Sequence, residues 1–166
     1  MKTNDKKLLI IGNMPPPIGG VTIYVKRLTK WLRINKFKYI FSDIRRDSLL
    51  VTLIRILKAE VVHINLSRPI VILGLVVLSR LSFSKVIVTV HGNFGDKITI
   101  SKIEFFLFNL AIKYSSLVLV LNKKSKEKAQ SINDPTILIS SYLPATTDEI
   151  NELGLESIID TIVASK

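Results

Sequence analysis

The sequence predicts an α/β domain: a doubly wound, mostly parallel sheet of about six strands with helices on both faces. Two observations point there. Apolar runs of strand length alternate with longer segments of helical period, the pattern of successive βαβ units. Several of the short runs, 86–90 among them, are apolar at nearly every position, as strands covered on both faces must be. The chain of 166 residues fits one domain, and its 48% hydrophobic residues can fill a core.

In order, a strand is expected over 7–12, a short apolar run entered from Lys6-Lys7 and closed by Gly12. A helix follows over 20–34. Val21, Val25, Leu28 and Leu32 form its inner stripe, Lys26, Arg27, Lys30 and Arg33 fall opposite, and Tyr24 and Trp31 sit at the border. The next pair is a strand over 39–42 and a helix over 49–58. Val61-Val62-His63-Ile64-Asn65 centres a strand over 60–65, and the helix over 69–81 contains the longest uncharged apolar run, 69–78. That run falls well short of the roughly 20 residues of a spanning helix. A strand over 85–90 leads to a helix over 101–114 that is apolar on two sides. Ile103, Phe106, Leu107 and Leu110 make one side, and Phe105, Phe108 and Ile112 the other, which is expected to face outward. A strand over 117–121, a helix over 123–131 and a strand over 136–139 complete the unit. Ala145-Thr146-Thr147 then reads as a linker before an acidic amphipathic segment, 148–166.

Composition narrows the chemistry. Without cysteine there is no disulfide scaffold, thiolate metal site or cysteine nucleophile. No metal and no bound cofactor are expected. The polar start gives no sign of a cleaved signal peptide, so a cytoplasmic location is expected. The net charge of +11 is uneven: residues 1–40 carry nine Lys/Arg against one acid, and 141–166 one against five. Such a field favours anionic partners.

Three features could carry chemistry. Gly12-Asn13-Met14-Pro15-Pro16-Pro17-Ile18-Gly19-Gly20 ends the first strand with a proline-stiffened loop that delivers Gly19 and Gly20 to a helix mouth. Bare N–H groups and a positive dipole end there suit an anion. The alternative is that the glycines only turn the chain. The loop departs from G-x-G-x-x-G, and only Asp43 stands near the place of a ribose-binding acid, which argues against a dinucleotide. His91-Gly92-Asn93 follows a central strand, where open α/β sheets bind ligands, although His91 could equally cap the strand end. His63 reads as a satisfied core histidine, with Asn65 and Ser67 beyond it as more accessible polar candidates.

Pro-Pro-x-Gly-Gly-Val before a helix, Val-His-Ile-Asn-x-Ser, Val-Thr-Val-His-Gly and Leu-Val-Leu-Asn-Lys-Lys-Ser follow one another in an order and spacing that resembles the N-terminal domain of family 4 retaining glycosyltransferases of the GT-B fold. The resemblance covers roughly 7–144. It implies a Rossmann-like acceptor-side domain over 1–144, with 145–166 as linker and the start of a truncated C-terminal domain. It also implies transfer of a sugar from a nucleotide-diphosphate donor to a lipid-linked acceptor in bacterial surface polysaccharide synthesis. Nucleic acid is not expected as a partner, because the aromatics are not interleaved with the basic residues as a stacking platform. Gly19 and Gly20 would then approach the donor diphosphate, and His91 would match the active-site histidine contacting the transferred sugar. Asn65, Ser67, Gly92, Asn93, Asn122 and Ser125 would line the acceptor side. The family's second domain, which supplies most of the donor site, is not found in the sequence, so the unit is expected to be incomplete alone or completed in trans.

Lys26, Arg27, Lys30, Trp31 and Arg33 of the first helix, with Phe105, Phe108 and Ile112, suggest a contact with the inner face of the plasma membrane. The alternative for that surface is a solvated charged face plus a patch covered by another domain. A non-catalytic membrane- or partner-binding module is the competing reading of the whole chain.

Overall fold

The computed structural model describes residues 7–92 and 101–139. Six strands and five helices alternate without exception: β1 (Leu8–Gly12), α1 (Gly20–Ile34), β2 (Tyr39–Asp43), α2 (Leu49–Leu57), β3 (Val61–Ile64), α3 (Pro69–Leu81), β4 (Lys85–Val90), α4 (Lys102–Lys113), β5 (Leu117–Val120), α5 (Lys123–Gln130) and β6 (Thr136–Leu138). The strands form one parallel sheet in the order β2-β1-β3-β4-β5-β6. The expected fold class is the observed one, and its elements begin and end within about two residues of the expected positions.

Helix starts are set by local chemistry. Ser48 accepts from the Val51 N–H at 3.3 Å, and Ser101 and Glu104 form a reciprocal capping box ahead of α4. Asn122 Oδ1 accepts from Ser125 N at 2.7 Å, and Pro69 opens α3 where its missing N–H costs nothing. Each side-chain cap contributes about 1 kcal/mol.

Alternation along the strands splits the core into two layers. Leu9, Ile11, Val62, Ile64, Val86 and Val88 face α2, α3 and α4, meeting Ile56, Ile72, Leu75, Val76 and Ala111. On the opposite face Ile10, Val61, Ile87, Leu117 and Leu119 meet α1 through Tyr24, Leu28, Trp31 and Leu32. Toward the far edge, Val90, Val118 and Val120 pack with Ile112 of α4 and Ala129 of α5. Burying each such aliphatic side chain contributes roughly 1.5–3 kcal/mol. Among the described helices only α1 covers the second face.

Two expectations about helix orientation fail. Trp31, expected at the border of α1 and in contact with a membrane, is 4% exposed and stacks on Phe37 at 5.6 Å. Because α1 covers its face alone, its contact stripe is wide enough to take in both Tyr24 and Trp31, while Val21 at the helix start is only half-buried. In α4 the roles of the two apolar sides are reversed: Ile112 is fully buried and Phe105 and Phe108 pack on the core. Ala111, without a side chain beyond Cβ, lets the helix approach the sheet on that side. Ile103 and Phe106 are left outside. Lys26, Lys30 and Arg33 are exposed as expected, and Arg27 is half-buried.

Candidate functional site

Because every strand is parallel, the exits of β1, β3, β4 and β5 lie on one edge of the sheet. From β1 the chain moves one way to β2, then crosses back to β3 on the other side of β1. The carboxyl ends of β1 and β3 therefore flank a topological switch point, where crevices form in open α/β sheets. Gly12 and Asn13 stand on one side of it and Asn65 on the other, with Asn65 N donating to the Ile11 carbonyl at 2.8 Å.

Gly12 is required by packing. A Cβ there would lie 2.9 Å from Val25 Cγ2, so the glycine lets α1 settle against β1. Gly19 and Gly20 differ in kind. Gly19 has an extended backbone, φ −163°, which any residue adopts, and a Cβ at either position would meet nothing within 4 Å. Neither conformation nor packing inside the described residues asks for glycine there. Thr22 Oγ1 lies 3.0 Å from the Gly19 N–H it accepts and donates to the carbonyl of Pro17 or Gly19, which fixes the turn into α1. Among the described residues no side chain caps α1, which leaves its first-turn N–H groups without a side-chain partner next to the exposed glycines.

The proline-rich loop before them is clamped from β2. Asp43, at the carboxyl end of that strand, accepts from Met14 N at 3.0 Å and from Arg45 N at 3.1 Å. Arg45 donates to the Met14 carbonyl at 3.1 Å and Arg46 to that of Pro15 at 3.3 Å. Asp43 thus holds the loop in place from β2. Behind it, Asp47 joins Ser42 and Arg55. Burial works against its carboxylate, but the Ser42 hydroxyl and the Arg55 guanidinium together hold its pKa below the usual carboxylate value.

His91 leaves β4 on the α1 side and meets Tyr24 edge to face, with ring centroids 5.0 Å apart. Burial lowers its pKa to about 4, so the imidazole is neutral at pH 7. Its Nε2 is buried with no hydrogen-bond partner among the described residues. Beneath it, His63 Nε2 pairs with Thr89 Oγ1 at 2.7 Å, and Thr89 also bonds the Tyr24 hydroxyl. Burial, reinforced by the nearby His91, lowers the His63 pKa to about 3; burial raises that of Tyr24 above its ordinary range. His63 is the satisfied core histidine expected, and Tyr24 and Thr89 are the neighbours that sequence alone did not connect to His91.

The remaining candidates divide. Asn65, expected to be accessible, is fully buried, yet neither its Oδ1 nor its Nδ2 has a partner among the described residues. Asn13 is half-buried, with its Oδ1 buried and likewise unpartnered among the described residues. Ser67 is exposed. Gly92 sits at φ +87°, a left-handed turn that favours glycine. Its carbonyl accepts from Asn122 Nδ2 at 3.2 Å and Ser125 Oγ at 3.4 Å. Ser125 is buried, so it braces this turn rather than lining an open wall, and half-buried Asn122 caps α5 while doing the same. Asn93 and the 144/145 domain boundary lie outside the described residues. Among the described residues no three His, Asp or Glu side chains cluster as a metal site would require.

The carboxyl edge of the sheet thus carries a helix mouth without a side-chain cap, a neutral imidazole, and Asn13 and Asn65 with buried side-chain atoms unpartnered among the described residues. Such a set can accept an anion at the mouth and exchange hydrogen bonds with hydroxyl or amide groups beside it. The sequence matches no protein-family model and no curated protein. Solved structures do match. The crystal structure of Anabaena Alr3699/HepE in complex with UDP gives a TM-score of 0.59 at 13% identity, over 93% of this chain and 50% of that one. Its complex with UDP and glucose gives 0.58 at 12% identity over the same shares. In fold, the chain is similar to one half of HepE. It spans about half the length of these structures, and the expected likeness to one half of a GT-B enzyme holds at the level of the fold.

Proposed function

We propose that this domain is the acceptor-side half of a retaining glycosyltransferase, one wall of a cleft in which a sugar passes from a nucleotide-diphosphate donor to a lipid-linked acceptor at the inner face of the plasma membrane. The observation that carries this reading is the set of unpartnered polar groups on Asn13, Asn65 and His91 at the switch point, beside the uncapped mouth of α1. The HepE structures with UDP and with UDP and glucose lend support.

In this reading the first-turn N–H groups of α1 face the donor diphosphate, where developing negative charge is stabilised as the glycosidic bond to the nucleotide breaks. Gly19 and Gly20 leave room for close approach. Neutral His91 exchanges a hydrogen bond with the transferred sugar, its ring held by Tyr24. A second Rossmann-like domain, in cis or in trans, supplies the other wall and excludes water. A half-site alone binds weakly, so titration of this chain with nucleotide sugars is expected to give dissociation constants of about 1 mM or weaker.

The test is sugar transfer by the chain joined to a second GT-B domain of known donor specificity. His91→Ala is expected to lower turnover by about a hundredfold or more; unchanged turnover refutes the assigned role. A second reading, a non-catalytic binding module, is favoured by one observation, the apolar outer surface of α2, α3 and α4.

A further inference from the structure

The helix layer on the α2–α4 side of the sheet is apolar on its outside as well as its inside. In α2, Leu50, Ile54 and Leu57 point away from the core while Thr52 and Ile56 point into it. In α3 the outward stripe is Ile70, Gly74, Val77 and Leu81, the last 72% exposed, opposite buried Ile72, Leu75 and Val76. In α4, Ile103 and Phe106 continue it, and Phe83, just past α3, is 98% exposed. α3 packs between the other two helices, so these side chains form one surface. Scattered apolar residues on a surface are ordinary; three adjacent helices with apolar outer stripes are not.

Chemistry identifies what fits. No polar side chain interrupts α3 from Pro69 to Leu78, so an occupant at the centre receives no side-chain hydrogen bond. Protein interfaces typically carry about ten direct hydrogen bonds, whereas hydrocarbon needs none. The rim is basic: exposed Lys58, Arg68, Arg80, Lys102 and Lys113 stand at the ends of the three helices. Over residues 48–113, which span all three helices, the sequence has eight Lys/Arg against three acids, Glu60, Asp96 and Glu104. A second copy would bring the same charge to the same rim, in a chain of net charge +11. Among the described residues no helix is long and apolar enough to cross a membrane, so contact with lipid would be lateral.

We propose that the outer face of α2, α3 and α4 docks onto an anionic lipid surface, with its aliphatic and aromatic side chains in the acyl boundary and its helix-end cations among the head groups. This face is distinct from the basic side of α1, and the inference does not depend on the transferase reading.

The experiment is flotation of the chain with phosphatidylcholine vesicles, with and without phosphatidylglycerol. Binding is expected with the anionic lipid and is expected to weaken as salt rises. Leu81→Glu, or Phe106→Glu on the neighbouring helix, is expected to weaken it about tenfold or more, with the unfolding midpoint unchanged because both side chains are exposed. Lys26→Glu with Lys30→Glu on α1 is expected to change it by no more than about twofold. Failure to float with anionic vesicles overturns the proposal. So does binding that survives both outer-face variants, or that is lost only with the α1 variants. Self-association in light scattering that Leu81→Glu abolishes, without vesicle binding, assigns the face to a second copy instead.

Discussion

Just before β4, β5 and β6, polar side chains are matched, and just after β1, β3 and β4, among the described residues, they are not. At the amino edge of the sheet Ser84 Oγ donates to the Ala59 carbonyl at 2.7 Å, and Ser116 Oγ accepts from Val86 N at 3.0 Å. Asn133 Nδ2 reaches the carbonyls of Ile112 and Ser115 at 2.7 and 2.8 Å. At the carboxyl edge Asn13, Asn65 and His91 hold four of the seven buried side-chain atoms without a partner among the described residues. Buried polar atoms cost free energy when unpaired, so a fold selected only for stability would treat both edges alike. The other three atoms, on Trp31, Ser79 and Asn109, lie within helices, so the contrast holds between the residues that flank the strands.

Breaking the amino edge should damage stability and nothing else. Asn133→Ala leaves two buried carbonyls without their donor and is expected to cost about 2 kcal/mol in urea unfolding. Acid sensitivity should sit at the opposite edge. The folded pKa values of His63, about 3, and His91, about 4, lie below the unfolded value of about 6.5. Above about pH 6.5 both states are neutral and stability is full. As pH falls from there toward about 4 the unfolded chain takes up protons the folded one refuses, and stability drops by up to about 1.4 kcal/mol per pH unit for each histidine. Unfolding measured across that window is expected to show roughly half the slope in His63→Leu.

Smaller effects sharpen the contrast. Asn65→Leu removes two unpaired polar atoms from a fully buried position, so stability is expected to hold or rise by up to about 1 kcal/mol while sugar transfer falls. A loss of stability as large as that of Asn133→Ala would erase the distinction between the edges. Smallest of all, Gly19→Ala and Gly20→Ala meet open space and are expected to shift the unfolding free energy by less than about 0.5 kcal/mol. If the proposed function holds, the same changes in the chain joined to a second GT-B domain are expected to weaken donor affinity by more than that.

The sheet was legible because its signals are local: short apolar runs, helical periods and caps such as Ser48 and Asn122 sit in sequence where they act. The orientation of α4 was not, because a helix apolar on both Phe105/Phe108/Ile112 and Ile103/Phe106 sides gives the same period either way, and the neighbouring elements decide between them. Trp31 was misplaced for a related reason, since how wide a stripe α1 buries depends on how many helices share its face. Asn65 and Ser125 were judged by residue type, and a strand-end asparagine or a first-turn serine carries no mark of which way it points. Links across long sequence distance, such as Tyr24 to His91 and Asp43 to Met14, have no signature in one sequence.

Tyr24 lies one turn inside the same helix whose mouth carries Gly19 and Gly20, and its ring rests against His91. In a close-packed interior a rod cannot tilt at one end only. A load on the mouth of α1 is therefore expected to travel through Tyr24 as through a yoke, and Gly20→Trp is expected to shift the resonance of the His91 ring.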